Sequence, residues 1–257
     1  KIKSVKAKED EIVKGGHGYV KKVLIKNKAY ARKKYYNRSV FYRELNILKK
    51  LGESKYLQNY RFCDELKLRI YSDYEGKDMF NWMESISKDG NLPSISHKYI
   101  KIIGKNILLG LEELKNKGYA HLDLKPENII LKEDYSIKII DFDTARKIHK
   151  DRNLNVTPQH RGTENYISPE MLFYRSYSET TDLWSLGVIL WILKAGIFPY
   201  DSVEEIYLRF DEYNYYEKCI ESNENFSDLL KKLFEKNHRR RISIEDALNH
   251  PYFEMIN

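Results

Sequence analysis

Between Val20 and Lys34 the apolar positions come in short runs broken by turn-like polar residues: Val23-Leu24-Ile25, then Asn27, then Ala29-Tyr30-Ala31. Alternation on this scale predicts antiparallel strands. From Phe41 to Leu51 the period lengthens, with Leu45, Leu48 and Leu51 on one helical face, and Leu66 to Tyr74 returns to extended patterning. After Gly76 the chain changes character. Residues 78–87, 96–117, 181–195, 203–212, 227–235 and 243–249 all read as helices, several opened by a Ser, Thr or Asp able to cap the first turn. A small antiparallel β-sheet part with one main helix is thus followed by a larger, mainly helical part. There is no repeat and no low-complexity linker, so the pattern predicts an α+β fold of two lobes meeting near Asp73 to Gly76. Ligands often bind between such lobes.

Composition narrows this little. The 257 residues are 42% hydrophobic and 32% charged, with twelve glycines and six prolines, which reads as a folded globular protein. The best apolar stretch, Leu183 to Leu193, ends at Lys194 and is shorter than the roughly 18 residues a membrane span needs, so it predicts a buried helix. Cys63 and Cys219 form neither a metal pattern nor a disulfide framework, which favours an intracellular, reducing compartment, cytoplasmic or nuclear. No signal peptide is evident, and a chain that begins at Lys1 leaves targeting open. The net charge of +7 comes from lysines dispersed among β-type residues, as on solvated strand faces; no nucleic-acid partner is expected, and a monomer is the default.

Chemistry enters with His121-Leu122-Asp123-Leu124-Lys125-Pro126-Glu127-Asn128, then the apolar run Ile129 to Leu131, a turn at Glu133-Asp134, and Ile137-Lys138-Ile139-Ile140-Asp141-Phe142-Asp143. The two apolar runs predict a hairpin that brings Asn128 and Asp141 together. This ordered set resembles the signature of eukaryotic protein kinases of the Ser/Thr type. The resemblance extends upstream to the glycine-rich Val13-Lys14-Gly15-Gly16-His17-Gly18-Tyr19-Val20 and to Ala31-Arg32-Lys33. Downstream it takes in Gly162-Thr163-Glu164-Asn165-Tyr166-Ile167-Ser168-Pro169-Glu170 and runs on to Phe253.

The resemblance implies one kinase domain over 1–257, with an N-lobe of about 1–73, a hinge of about 73–76 and a C-lobe of about 77–257. It implies ATP and Mg²⁺ as cofactors and a protein Ser/Thr hydroxyl as acceptor. Asp123 would orient that hydroxyl and accept its proton, Lys125 would neutralise the γ-phosphate, and Asn128 and Asp141 would hold Mg²⁺. Thr163 would contact Asp123 and Lys125. Val13, Gly15, Gly16, Gly18 and Val20 would cover the nucleotide, Ala31 would line the adenine pocket, and Lys33 would meet the phosphates. Strand alternation places Ala31 and Lys33 on one face, which selects Lys33 over Lys34, and Glu44 would be its helix partner. Ser72 would gate the back of the pocket, Asp73, Tyr74 and Glu75 would supply hinge contacts to adenine, and Asp78 would bind ribose or a basic substrate residue. Glu170 would pair with Arg241, and Asp182 would anchor the backbone around Asp123.

Four positions depart from the family pattern. Val13 stands where a glycine is usual. Leu122 replaces the arginine that reads a phosphorylated activation loop, and the usual phosphosite falls near Gln159, which cannot be phosphorylated. Activity is therefore expected not to depend on that modification, although Thr157-Pro158 offers a site of another kind. Asp143 replaces the glycine after Asp141-Phe142; either it hinders the flip of this segment or its carboxylate perturbs the metal site. Departures of this kind keep open an alternative reading, a nucleotide-binding pseudokinase scaffold.

Overall fold

The structure, a computed structural model, describes residues 12–149, 154–157, 162–200, 205 and 223–254. The predicted helix at 203–212, apart from residue 205, lies outside these residues, as do Gln159 and Cys219.

Strands β1 (Ile12–Gly15), β2 (Gly18–Ile25), β3 (Lys28–Tyr35), β4 (Tyr60–Asp64) and β5 (Arg69–Asp73) form one antiparallel sheet in the order β1-β2-β3-β5-β4. Gly18 is required by packing: a Cβ there would sit 2.0 Å from the Lys34 carbonyl oxygen on β3. Helix α1 (Arg38–Leu51) crosses beneath the sheet. It begins ahead of its first apolar repeat because the Asn37 side chain accepts from the backbone N–H groups of Ser39 and Val40. Its buried face, Val40, Phe41, Leu45, Ile47, Leu48 and Leu51, joins the main core. β4 escaped the sequence reading because Arg61 and Asp64 break its alternation.

The remainder is mainly helical: α2 (Met79–Ile86), α3 (His97–Asn116), α4 (Pro169–Tyr174), α5 (Thr181–Ala195) and the helices Glu224–Leu233 and Ile244–Leu248. The helix predicted at 227–235 starts earlier because Asn223 caps it, its side chain accepting from Phe226 N–H. Helix α5 is buried all round from Thr181 to Leu193, as its unbroken apolar run demands. No helix among the described residues is long and apolar enough to cross a membrane.

Between α3 and α4 lie short strands that carry the chemistry-bearing residues: β6 (Tyr119–Ala120), β7 (Ile129–Leu131), β8 (Ile137–Ile139), β9 (Arg146–Lys147) and β10 (Asn155–Val156), with β11 (Ser176–Tyr177) following α4. β7 and β8 form the predicted hairpin, while β6 pairs with β9 and β10 with β11. The loop before β4 also pairs with β8: Gln58 N–H donates to the Ile139 carbonyl (2.9 Å) and Ile139 N–H to that of Tyr56 (2.8 Å). That contact ties the sheet to the helical part beside Asp141.

Candidate active site

Asn128 ends the short helical turn before β7, and Asp141 follows β8 after Ile140. Because Ile129 pairs with Ile139, and Ile140 N–H donates to the Asn128 carbonyl (2.9 Å), the two residues lie side by side. The loop 121–125 is held from below by Asp182, whose carboxylate accepts from the N–H groups of His121 (2.7 Å) and Leu122 (2.8 Å). Buried His121 completes the support. Its Nε2 lies 3.0 Å from the Ile140 carbonyl oxygen, which can only accept, so Nδ1 is left to accept from Asp123 N–H at 3.3 Å.

Asp123, Lys125, Asn128 and Thr163 form one cluster. Thr163 Oγ1 donates to Asp123 Oδ1 (3.0 Å) and accepts from Lys125 Nζ (2.6 Å). Lys125 Nζ is 3.3 Å from Asp123 Oδ2, and Asn128 Nδ2 donates to both that oxygen (3.1 Å) and the Asp123 carbonyl (2.8 Å). With its nitrogen so used, the Asn128 amide oxygen is the atom left for a cation. Gly162 brings Thr163 in: its φ is +96°, and a Cβ there would lie 2.9 Å from the Leu122 carbonyl oxygen.

A second cluster centres on Lys33, which sits on β3 two residues from Ala31. Lys33 Nζ contacts Glu44 Oε2 (2.9 Å), Asp141 Oδ1 (2.5 Å) and Asp143 Oδ2 (2.9 Å). Burial alone would lower its ammonium, but Asp141, Glu44 and Asp143 outweigh it and hold it well above the ordinary lysine range. One ammonium cannot neutralise three carboxylates. Glu44, wholly buried, is the one whose ionisation is resisted: burial pushes it up to about 7 against the pull of Lys33. Asp141 goes the other way; burial opposes its charge, yet Lys33 holds it below the usual carboxylate range. Tyr35 OH donates to Glu44 Oε2 (2.7 Å), and Glu44 Oε1 accepts from Phe142 N–H (3.1 Å).

Asp143 has a regular backbone, outside the positive-φ region. Its carbonyl oxygen accepts from Arg43 Nε (3.1 Å) and Nη2 (2.9 Å) on α1. Sequence reasoning missed Arg43 and Tyr35, although Tyr35 shares the face of Lys33 on an alternating strand.

Other expected site residues are placed as follows. The β1–β2 hairpin pairs Val13 with Val20 and Gly15 with Gly18, around a turn at Gly16-His17. Ala31 pairs with Ser72 across β3 and β5. Ser72 is buried, and its Oγ accepts from Gln58 Nε2 at 2.9 Å. The Asp73 side chain turns to Arg61 and to Lys28, away from the linker that follows it. Glu75 pairs with Lys132 (2.7 Å) and Lys138 (3.5 Å) on the β7–β8 hairpin. Asp78 caps α2, its two oxygens accepting from the Asn81 backbone (2.8 Å) and amide (2.6 Å), so any ligand there shares it with Asn81. Thr157 is buried and its N–H donates to the Arg175 carbonyl (2.8 Å), so it does not present an open modification site.

Leu122 lies in a small apolar cluster separate from the main core, with Ala120, Ile167, Met171 and Tyr177, against which Ile148 and Leu172 pack. Glu170 and Arg241 form a bidentate buried pair (2.7 and 2.8 Å), with Thr181 Oγ1 also donating to Glu170 (2.9 Å).

Comparison with known proteins identifies the family. The family model described as protein kinase domain matches residues 7–253. The chain is 34% identical over 211 residues to 3-phosphoinositide-dependent protein kinase 1 of Rattus norvegicus, covering 74% of this chain and 36% of that protein. It is 31% identical over 255 residues to a protein of Dictyostelium discoideum named as a probable serine/threonine-protein kinase, covering 96% of this chain and 48% of that one. Against serine/threonine-protein kinase cds1 of Schizosaccharomyces pombe it is 30% identical over 241 residues, 84% of this chain and 48% of that one. The chain thus spans less than half the length of these relatives. It belongs to the protein kinase domain family.

Proposed function

We propose that the chain is an ATP- and Mg²⁺-dependent Ser/Thr protein kinase domain, active without activation-loop phosphorylation. The observation that carries this is the joint placement of Asp123, Lys125, Asn128 and Thr163 in one hydrogen-bonded cluster beside Asp141 and Lys33. Phosphoryl transfer asks for positioning and charge neutralisation more than covalent chemistry. Asp123, held by Asn128 and Thr163, orients the acceptor hydroxyl and takes its proton. Lys125 neutralises the transferring phosphoryl group, and Thr163 sets the distance between the two. Lys33, fixed by Glu44, meets the nucleotide phosphates.

The Asn128 amide oxygen and the Asp141 carboxylate are hard oxygen donors on adjacent strand ends, the chemistry that suits Mg²⁺. The ion, when bound, would neutralise phosphate charge there. Glu44, Asp141 and Asp143 also bring carboxylate oxygens within 4.8 Å of one another, but the Lys33 ammonium already contacts all three. We therefore read Asp143 as a latch. It ties the segment after Asp141 to Lys33 through its side chain and to α1 through Arg43, opposing an outward flip.

Residues 73–76 serve as the hinge between lobes, with adenine contacted by the backbone there and covered by Val13, Gly15, Gly16, Gly18, Val20 and Ala31. Phosphorylation independence rests on Leu122: where the family has a phosphate-reading arginine, an apolar contact with Ile167 and Met171 holds the segment before α4. The substrate is a protein hydroxyl, and the cysteine usage supports an intracellular setting. The competing reading, a nucleotide-binding scaffold, draws on Lys33 being contacted by three carboxylates. Incubation with Mg²⁺, γ-³²P-ATP and mixed basic proteins, followed by phosphoamino-acid analysis, decides: label on Ser or Thr is expected, and ATP binding without label would favour the scaffold.

A further inference from the structure

Gln58 lies at none of the positions that family resemblance singles out, yet its side chain bridges two that it does. Its Nε2 donates to Ser72 Oγ (2.9 Å), at the expected gate of the nucleotide pocket, and its Oε1 accepts from the backbone N–H of Asp141 (3.0 Å). The amide can have only this orientation, because a backbone N–H donates and so requires the oxygen. The backbone of Gln58 is itself fixed. It donates to the Ile139 carbonyl, and Asp73 N–H donates to the neighbouring Asn59 carbonyl (3.1 Å). Upstream, Ser54 Oγ accepts from the N–H groups of Tyr56 (3.0 Å) and Leu57 (2.8 Å). Asp141 needs such a hold: its φ of +67° is a left-handed backbone state that a residue with a Cβ keeps only when its surroundings impose it.

We propose that Gln58 is a positioning residue that couples the gate at Ser72 to the placement of Asp141, so that the metal-binding aspartate senses how the back of the nucleotide pocket is filled. The proposal rests on reading Asp141 as a Mg²⁺ ligand. Gln58 touches neither nucleotide nor phosphate in this role; it acts through the main chain of Asp141. Because both partners share one amide, displacement of Ser72 shifts the oxygen that holds Asp141. The converse follows as well: metal bound at Asp141 stiffens the gate.

The test compares wild type with Gln58→Met, which is similar in size but lacks both hydrogen bonds, with Ser72→Ala, and with the double variant. Calorimetric titration with ADP, with and without Mg²⁺, gives the metal-dependent gain in affinity, and hydrogen exchange gives the protection of the Asp141 amide. Gln58→Met is expected to reduce the gain about tenfold, the scale of one lost buried hydrogen bond. Metal-free ADP affinity should stay within about twofold and exchange at Asp141 should speed up. Ser72→Ala should move the gain the same way by less, and the double variant should go no further than Gln58→Met. A wild-type gain in Gln58→Met, or single effects that multiply in the double variant, would overturn the coupling. If Gln58→Met does not fold, Ser72→Ala decides by the same gain, an unchanged value being the overturning result. Failure of the kinase reading shows separately, as wild type that gains ADP affinity with Mg²⁺ but transfers no phosphate; the ratio between variants then still decides the coupling. Wild type with no gain from Mg²⁺ would overturn the proposal at its premise.

Discussion

Lys33 sits where one positive charge meets three carboxylates, and this imbalance makes the residues unequal. Removing the ammonium leaves Glu44, Asp141 and Asp143 facing one another without a counter-charge, whereas neutralising Asp143 loses one contact and relieves repulsion. Lys33→Met is accordingly expected to cost about 3–5 kcal/mol, the scale for breaking a buried pair. Asp143→Asn should change stability by less than about 1 kcal/mol. Urea denaturation of the two variants checks the ordering; equal losses would contradict the charge balance described here. Much of this cluster was legible in the sequence. Period two on β3 selects Lys33 over Lys34, and the kinase resemblance names Glu44 as its helix partner. The Asp143 contact was not legible, because a residue expected to be glycine gives no clue to where a side chain would point.

At the scale of elements, the long segments and the β7–β8 hairpin could be read from the sequence, whereas the two-residue strands could not. The helix 181–195 is marked by its continuous apolar run and its observed bounds coincide with the predicted ones. Pairs such as β6–β9 and β10–β11 are two residues a strand, too short to carry a period, and only tertiary contact defines them. Gln58 belongs to the same class: its place follows from a loop pairing with β8, which no local pattern announces. The Leu122 cluster shows what an element-level substitution does. The left-handed Leu122 backbone (φ +67°) is fixed by Asp182, and its side chain fills the apolar contact with Ile167, Met171 and Tyr177. Leu122→Ala is expected to destabilise by about 2–3 kcal/mol in thermal or urea unfolding, as for other buried leucines. Phosphatase treatment of the wild type should leave its transfer rate within about twofold, since Leu122 stands where the family has its phosphate-reading arginine. Loss of most activity on dephosphorylation would contradict this.

In the molecule as a whole, the site hangs on buried polar anchors. Asp182 holds the loop carrying Asp123, and the Glu170–Arg241 pair locks the segment after Thr163 to the helical part, with Arg241 also donating to the Thr180 carbonyl (3.1 Å). Burial would raise the Glu170 carboxyl, but Arg241 outweighs it and holds it below the usual range. A folded value below the unfolded one of about 4.3 means that the stabilisation is complete above that pH and is lost as pH falls through the lower folded value. Glu170→Gln should therefore be less stable than wild type at neutral pH by about 3–5 kcal/mol, with the gap closing below about pH 4. Urea titrations across pH would show it, and a gap that is constant with pH would exclude the pair as its source.

In the proposed reaction Asp123, held by Asn128, Lys125 and Thr163, serves phosphate transfer from ATP to a protein hydroxyl. The most direct test is Mg²⁺-dependent transfer from labelled ATP by wild type and Asp123→Asn, with ATP binding measured on the same samples. Transfer by wild type that falls by at least about a hundredfold in the variant, with ATP affinity kept, is the expected result. ATP binding by both with transfer by neither, or equal transfer by both, would contradict it.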